Sequence, residues 1–213
     1  MKEQVPTIRY EDDDILVVIK PQGMVSQQEG LPKWLQEQRG IPEVYVVHRL
    51  DRQTGGVMVY GKTSAAAAAL SAQFQANQVQ KEYVAIVEGE VPSEGQWEDL
   101  LFYDRRQNKA FCVDKERKGA KLAQLSFKRE KVFQGAGETR SMVSVHLQTG
   151  RTHQIRVQFA SRKHPIVGDR RYGGKGDGKQ IALWCRSLSF LHPTTKEPML
   201  FQQDPPVDDP FWQ

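Results

Sequence analysis

Short runs of β-branched and aromatic residues recur along this 213-residue chain, and each is cut off by a turn signal. Runs this short, bounded by glycine, proline and small polar residues, read as strands. Ile15–Ile19 stops at Lys20-Pro21-Gln22-Gly23, because proline cannot donate to a ladder and Pro-x-Gly favours a turn. Val44–Val47 and Val57–Tyr60 are two further strands, connected by His48-Arg49-Leu50-Asp51-Arg52-Gln53-Thr54-Gly55-Gly56. Tyr83–Val87 ends at Glu88-Gly89, and Met142–Leu147 at Gln148-Thr149-Gly150. Two helices fit between them. Thr63 or Ser64 can cap one through Ala65–Ala69 with Leu70 and Phe74 at i, i+4, and Thr152 can cap another that turns Ile155 and Phe159 inward and runs to about Arg162. Strands outnumber helices and the connections are mixed, so the expected class is α+β.

Composition narrows the partners. A hydrophobic content of 38% suits a soluble chain with one well-cored domain, expected over residues 1–213, with residues 204–213 as a solvated tail. The net charge is only +4, but residues 104–131 carry ten basic and four acidic side chains, and residues 151–179 carry eight and two. The basic charge therefore lies in the later half, where a polyanion would meet it. Cys112 and Cys185 have no CxxC or Cys/His ligand spacing, which fits a reducing compartment and argues against a zinc site. There is no apolar signal core at the N-terminus and no run long enough to cross a bilayer, so a cytoplasmic protein without membrane contact is expected. The glycine-rich segment 173–178 reads as a flexible loop.

One motif misleads. Gly56-Val57-Met58-Val59-Tyr60-Gly61-Lys62-Thr63 matches the phosphate-loop pattern GxxxxGK[ST]. A phosphate loop must curl so that successive N–H groups converge, whereas Val, Met, Val and Tyr favour extended backbone. The stretch is expected to be strand, turn and helix cap.

The polar turns after two strands are more informative. One holds Asp51 between Arg49 and Arg52; the other, Gly150-Arg151-Thr152-His153-Gln154-Ile155-Arg156, holds two arginines and a histidine at a helix start. An arginine beside a carboxylate favours its ionised form, which suits a nucleophile and not a general acid. No second carboxylate stands at a comparable strand end, which disfavours glycosidase chemistry and a hard-cation site alike. Glu11–Asp14 reads as a solvated acidic turn. Of the histidines, His48 and His153 sit at element ends, where a ring hydrogen-bonds the backbone. Tyr83 alternates with Ala85 and Val87, the pattern of a core-facing position.

Four motifs in order resemble those of the RluA-type pseudouridine synthases: Lys20-Pro21-x-Gly23; His48-Arg49-Leu50-Asp51-x-x-Thr54-x-Gly56; Lys81–Gly89 around Tyr83; and Leu147-x-Thr149-Gly150-Arg151-Thr152-His153-Gln154-Ile155-Arg156. The segment His164–Asp169 with Arg171-Tyr172-Gly173 agrees, while Gly55 stands where that family usually has serine, a change expected to alter a turn hydrogen bond. The resemblance implies a mixed, largely antiparallel sheet with flanking helices around a central RNA-binding cleft. It also implies cleavage of the uracil N1–ribose C1′ bond, rotation of the base, and rejoining through C5, without cofactor or metal. Asp51 would be the nucleophile or electrostatic partner at the ribose, Arg156 would pair with it, and Tyr83 would stack on a base flipped out of its helix. Arg49 would fill the vacated space, and Arg151 and the basic stretch 104–131 would meet phosphates. His48, Thr54 and Gln154 complete the expected RNA-contacting set. The expectation is a compact stem-loop in rRNA or tRNA, read by a monomer without an appended N-terminal RNA-binding domain. An RNA-binding module without turnover is the alternative from another class. Asp51 is expected within salt-bridge reach of Arg156, with Tyr83 beside both.

Overall fold

The structure, a computed structural model, describes residues 5–135, 137–206 and 212. In chain order the elements are β1 (Thr7–Glu11), β2 (Ile15–Lys20), α1 (Leu31–Arg39), β3 (Tyr45–Val46), β4 (Gly55–Gly61), α2 (Ser64–Gln75), β5 (Gln80–Glu88), β6 (Glu94–Asp104), β7 (Lys109–Val113), β8 (Ala120–Gly135), β9 (Glu138–Leu147), α3 (Gln154–Ser161), β10 (Leu183–Leu191) and β11 (Pro198–Gln202), with a 3-10 turn at Arg170–Tyr172 before β10. They group into two compact units, residues 1–81 with 184–205 and residues 82–183 with 206–213. The expected tail falls at 207–211 and 213 outside the described residues.

The first unit is built on β2 and β4. Their β-branched residues pair antiparallel from Ile15↔Gly61 to Lys20↔Gly56, and β4 is buried throughout. β1 adds to the far side of β2, β3 to the end of β4, and β11 to β10, all antiparallel, while β10 joins β4 in parallel at Trp184↔Gly55. Ile15, Val17, Val57, Val59, Leu70 and Phe190 lie in one apolar cluster. Helix α2 supplies Leu70, and the Thr63 hydroxyl accepts from the Ala66 N–H at 3.1 Å, so Thr63 is the cap. The phosphate-loop pattern is strand, as expected. Lys62 instead binds the Glu11 carboxylate at 3.0 Å and the Asp12 carbonyl.

In the second unit the strand order is β5-β9-β8-β6-β7, antiparallel at every step. One face of β6, β7 and β8 carries Leu101, Ala110 and Ala123 against Val157 of α3. Trp97, Phe127 and Phe159 pack with ring centroids 4.5–5.4 Å apart. The segment expected to be a flexible loop is tied into this unit: Gly168 N–H donates to the Lys175 carbonyl at 2.7 Å and Gly174 N–H to that of Asp169 at 2.9 Å.

Candidate active site

Asp51 lies on the half-buried connection between β3 and β4, in the first unit. Its loop is held by neighbours on both sides. The Ser26 hydroxyl donates to the Leu50 carbonyl at 2.8 Å and accepts from the Leu50 N–H at 3.3 Å, and the buried Tyr60 hydroxyl donates to the Ser26 carbonyl at 2.9 Å. On the other side the Arg52 carbonyl accepts from Gly23 N–H at 2.8 Å, and Arg52 Nε donates back to the Gly23 carbonyl at 2.8 Å. Gln22 Nε2 donates to the Gln53 carbonyl at 3.0 Å, and Thr54 N–H closes the turn on the Asp51 carbonyl at 3.0 Å.

Lys20 sits beneath this turn with no exposed surface. Its ammonium has three protons and donates to three carbonyls, those of Pro21 at 2.9 Å, Met24 at 2.8 Å and Arg52 at 3.4 Å. Burial pulls Lys20 down to about 7, against the opposing pull of the Asp51 carboxylate. The Lys-Pro-x-Gly turn is thus a cradle for the Asp51 loop, and the lysine is its clasp.

The remaining expected residues fall in place as follows. His48 Nε2 accepts from the Val59 N–H at 3.0 Å and its ring stacks on Phe74; burial, with Lys81 nearby, pushes it down to about 3, so it stays neutral. Thr54 is buried and Arg49 is exposed. At Gly55 packing leaves no room for a side chain: a Cβ there would fall 2.2 Å from the Trp184 ring.

Arg156, in the second unit, is 3% exposed and is gripped by Asp169, with Nε–Oδ2 at 2.6 Å and Nη2–Oδ1 at 2.8 Å. Its guanidinium also lies 5.2 Å from the centroid of the Tyr172 ring. Tyr172 joins three elements, since its hydroxyl accepts from Ala110 N–H at 2.7 Å and meets His153 Nδ1 at 2.9 Å. Gln154 is buried, with its oxygen accepting from Thr149 Oγ1 and Arg151 N–H at 2.8 and 3.0 Å and its nitrogen donating to the Gln124 carbonyl at 3.0 Å. Thr152 does not cap α3: His153 takes the N-cap position in the left-handed region, φ 57°, and its Nδ1 meets the Tyr172 hydroxyl. The exposed Arg151 donates from Nε to the Leu122 carbonyl at 2.8 Å. Tyr83 is buried on β5. Among the described residues no cluster of three or more His, Cys, Asp or Glu could hold a metal, and no helix is long and apolar enough to cross a membrane.

Sequence reasoning assigned no role to Ser26, Asp169 or Tyr172, because their contacts span long separations. The signal available for Asp169 was a lone acid after the apolar pair Ile166-Val167.

A family model described as RNA pseudouridylate synthase matches residues 14–161. The chain belongs to that family. Among its relatives, the dual-specificity RNA pseudouridine synthase RluA of Vibrio vulnificus (strain CMCP6) is 37% identical, over 87% of this chain and 78% of its own. The RluA of Escherichia coli (strain K12) is 34% identical over 92% and 91%. The ribosomal large subunit pseudouridine synthase D of Neisseria meningitidis serogroup B (strain ATCC BAA-335 / MC58) is 34% identical over 94% of this chain, which spans 58% of that relative. A solved structure, human RNA pseudouridylate synthase domain containing 1, superimposes with a TM-score of 0.82 at 26% identity, covering 97% of this chain and 87% of that one. The α+β class and the RluA-type resemblance hold, and the protein is an RNA pseudouridine synthase, an isomerase.

Proposed function

We propose that this synthase isomerises a specific uridine in a structured rRNA or tRNA, with Asp51 as the nucleophile at the ribose of a flipped nucleotide. The observation that carries the reading is the cradle around Asp51: hydrogen bonds to Leu50, Arg52 and Gln53 hold the backbone on both sides of one carboxylate. A nucleophile gains from being fixed before substrate arrives, because alignment then costs nothing during the reaction. The N1–C1′ bond breaks as the Asp51 carboxylate attacks the ribose, the uracil turns while bound, C5 joins C1′ as the bond to Asp51 breaks, and the proton lost from C5 is matched by one gained at N1, so the product is an isomer of the substrate. Arg156 is the cation assigned to Asp51 in this reading. Tyr83 stacks on the displaced base, and Arg49 occupies the space it leaves. Arg151 and the basic stretch 104–131 meet phosphates, so affinity falls steeply with salt.

The test is Asp51→Asn, nearly isosteric and uncharged. Pseudouridine mapping of total RNA from cells carrying the variant should lose the site found with the wild type, a fall of about 1,000-fold or more in rate for loss of a covalent catalyst. RNA affinity should stay within about threefold, since phosphate contacts dominate binding. Undiminished pseudouridine formation by the variant would overturn the assignment.

A further inference from the structure

The outward face of the β6–β7–β8 sheet opposes the face that packs on α3. Phe102 of β6 and Phe111 of β7 are direct cross-strand partners on it, both half-buried. Each ring carries a cation: the Arg117 guanidinium lies 3.7 Å from the Phe102 centroid and the Lys109 ammonium 5.6 Å from that of Phe111. Lys109 also reaches round the sheet edge to lie 5.3 Å from the Tyr172 ring. Phe111 and Phe102 thus lie side by side on this face with a cation on each ring, Lys109 on one and Arg117 on the other. Beside Phe102 on the same face, Leu122 is 41% exposed.

We propose that this row is a binding track for a single-stranded RNA segment flanking the target uridine, with bases stacking on Phe111 and Phe102 and phosphates meeting Lys109 and Arg117. The proposal rests on the reading of the protein as acting on RNA. Aromatic rings interleaved with cations are what an unpaired strand recognises, since every base has a stacking face and every linkage a charge. Stacking a base on a ring gives more than an exposed cation–ring contact, so an arriving base displaces the cation, which then turns to the adjacent phosphate. A duplex hides the faces of its bases and gains only the charge term. Asp104, at the end of β6, is occupied within its own turn, accepting from the N–H groups of Arg106 and Gln107. Asp114 and Glu116 are outnumbered in the β7–β8 connection by Lys115, Arg117 and Lys118.

The experiment is fluorescence anisotropy with a labelled oligocytidylate of about 12 nucleotides, within the site sizes usual for unpaired strands. It offers stacking faces and phosphates but no uracil, so its outcome is independent of whether the protein isomerises uridine. Phe111→Ala and Phe102→Ala should each weaken binding about fivefold or more. Phe111→Leu, which keeps the apolar volume, should weaken it similarly, and Lys109→Gln should reduce the salt slope by about one. Wild-type affinity in Phe111→Leu, or no measurable binding by the wild type at low salt, would overturn the track.

Discussion

The two units hold their key residues in opposite ways. Around Asp51 the bonds run to the backbone: Ser26 grips both amide atoms of Leu50, and Lys20 and Gly23 share the Arg52 carbonyl. Around Arg156 the bonds run to the side chain itself, which Asp169 holds bidentately in a nearly dry setting. Holding a loop by its backbone fixes where its carboxylate starts from. Holding a guanidinium by a buried carboxylate fixes its plane and shares its charge. The first unit therefore tolerates local loss better, because its grip is divided among several bonds to the backbone, while the second places a bidentate ion pair at its centre.

That contrast can be broken most directly at Asp169. Asp169→Ala removes the bidentate carboxylate from a buried guanidinium and should cost about 3–5 kcal/mol, read from urea unfolding. Ser26→Ala strips both amide atoms of Leu50 of their partner and should cost less, about 1–3 kcal/mol, with a larger fall in kcat than change in KM for the RNA. Equal losses for the two variants would erase the distinction between the units.

Lys20 sharpens the comparison through pH. With the folded amine near 7 and the unfolded one at 10.5, the folded state sheds its proton first. Below about pH 7 the cost of the buried charge is present in full; it is relieved as pH rises toward 10, so stability from this group increases over that window. Thermal unfolding from pH 6 to 10 should show that rise in the wild type and a flatter profile in Lys20→Met. His48, at about 3 when folded, acts with the same sign at lower pH, its contribution falling away as pH drops below 6.5. The smallest effect is expected at the α2 cap, away from the Asp51 loop: Thr63→Ala should cost about 1 kcal/mol and leave kcat within twofold, which calibrates the cost of one hydroxyl-to-backbone bond in this unit.

Much of the scaffold was legible because burial on one or both faces writes itself as β-branched runs. β2, β4, β5 and β9 fall where those runs are, and Thr63 caps α2 because its hydroxyl and the following alanines need no distant help. The expected strand Val44–Val47 shrinks to Tyr45–Val46, since it pairs only with the end of β4. β7 and much of β8 were read only as positive charge, because one face of that sheet is exposed and lysines and arginines alternate with its packed residues. The failure of Thr152 as a cap has a different cause. The Gln154 side chain ties the preceding turn to Thr149 and Arg151, and this sets the entry into α3.

The sequence by itself determined the positions of β2, β4, β5 and β9, the rejection of the phosphate-loop pattern and the singling out of Asp51, because these depend on local backbone preference and on residue order. Only the tertiary structure decided what holds each residue: Ser26 against Leu50, Asp169 against Arg156, Trp184 over Gly55. Hydrogen bonds and ion pairs select partners by distance and direction in space, and residues far apart in sequence acquire both only when the strands between them are paired.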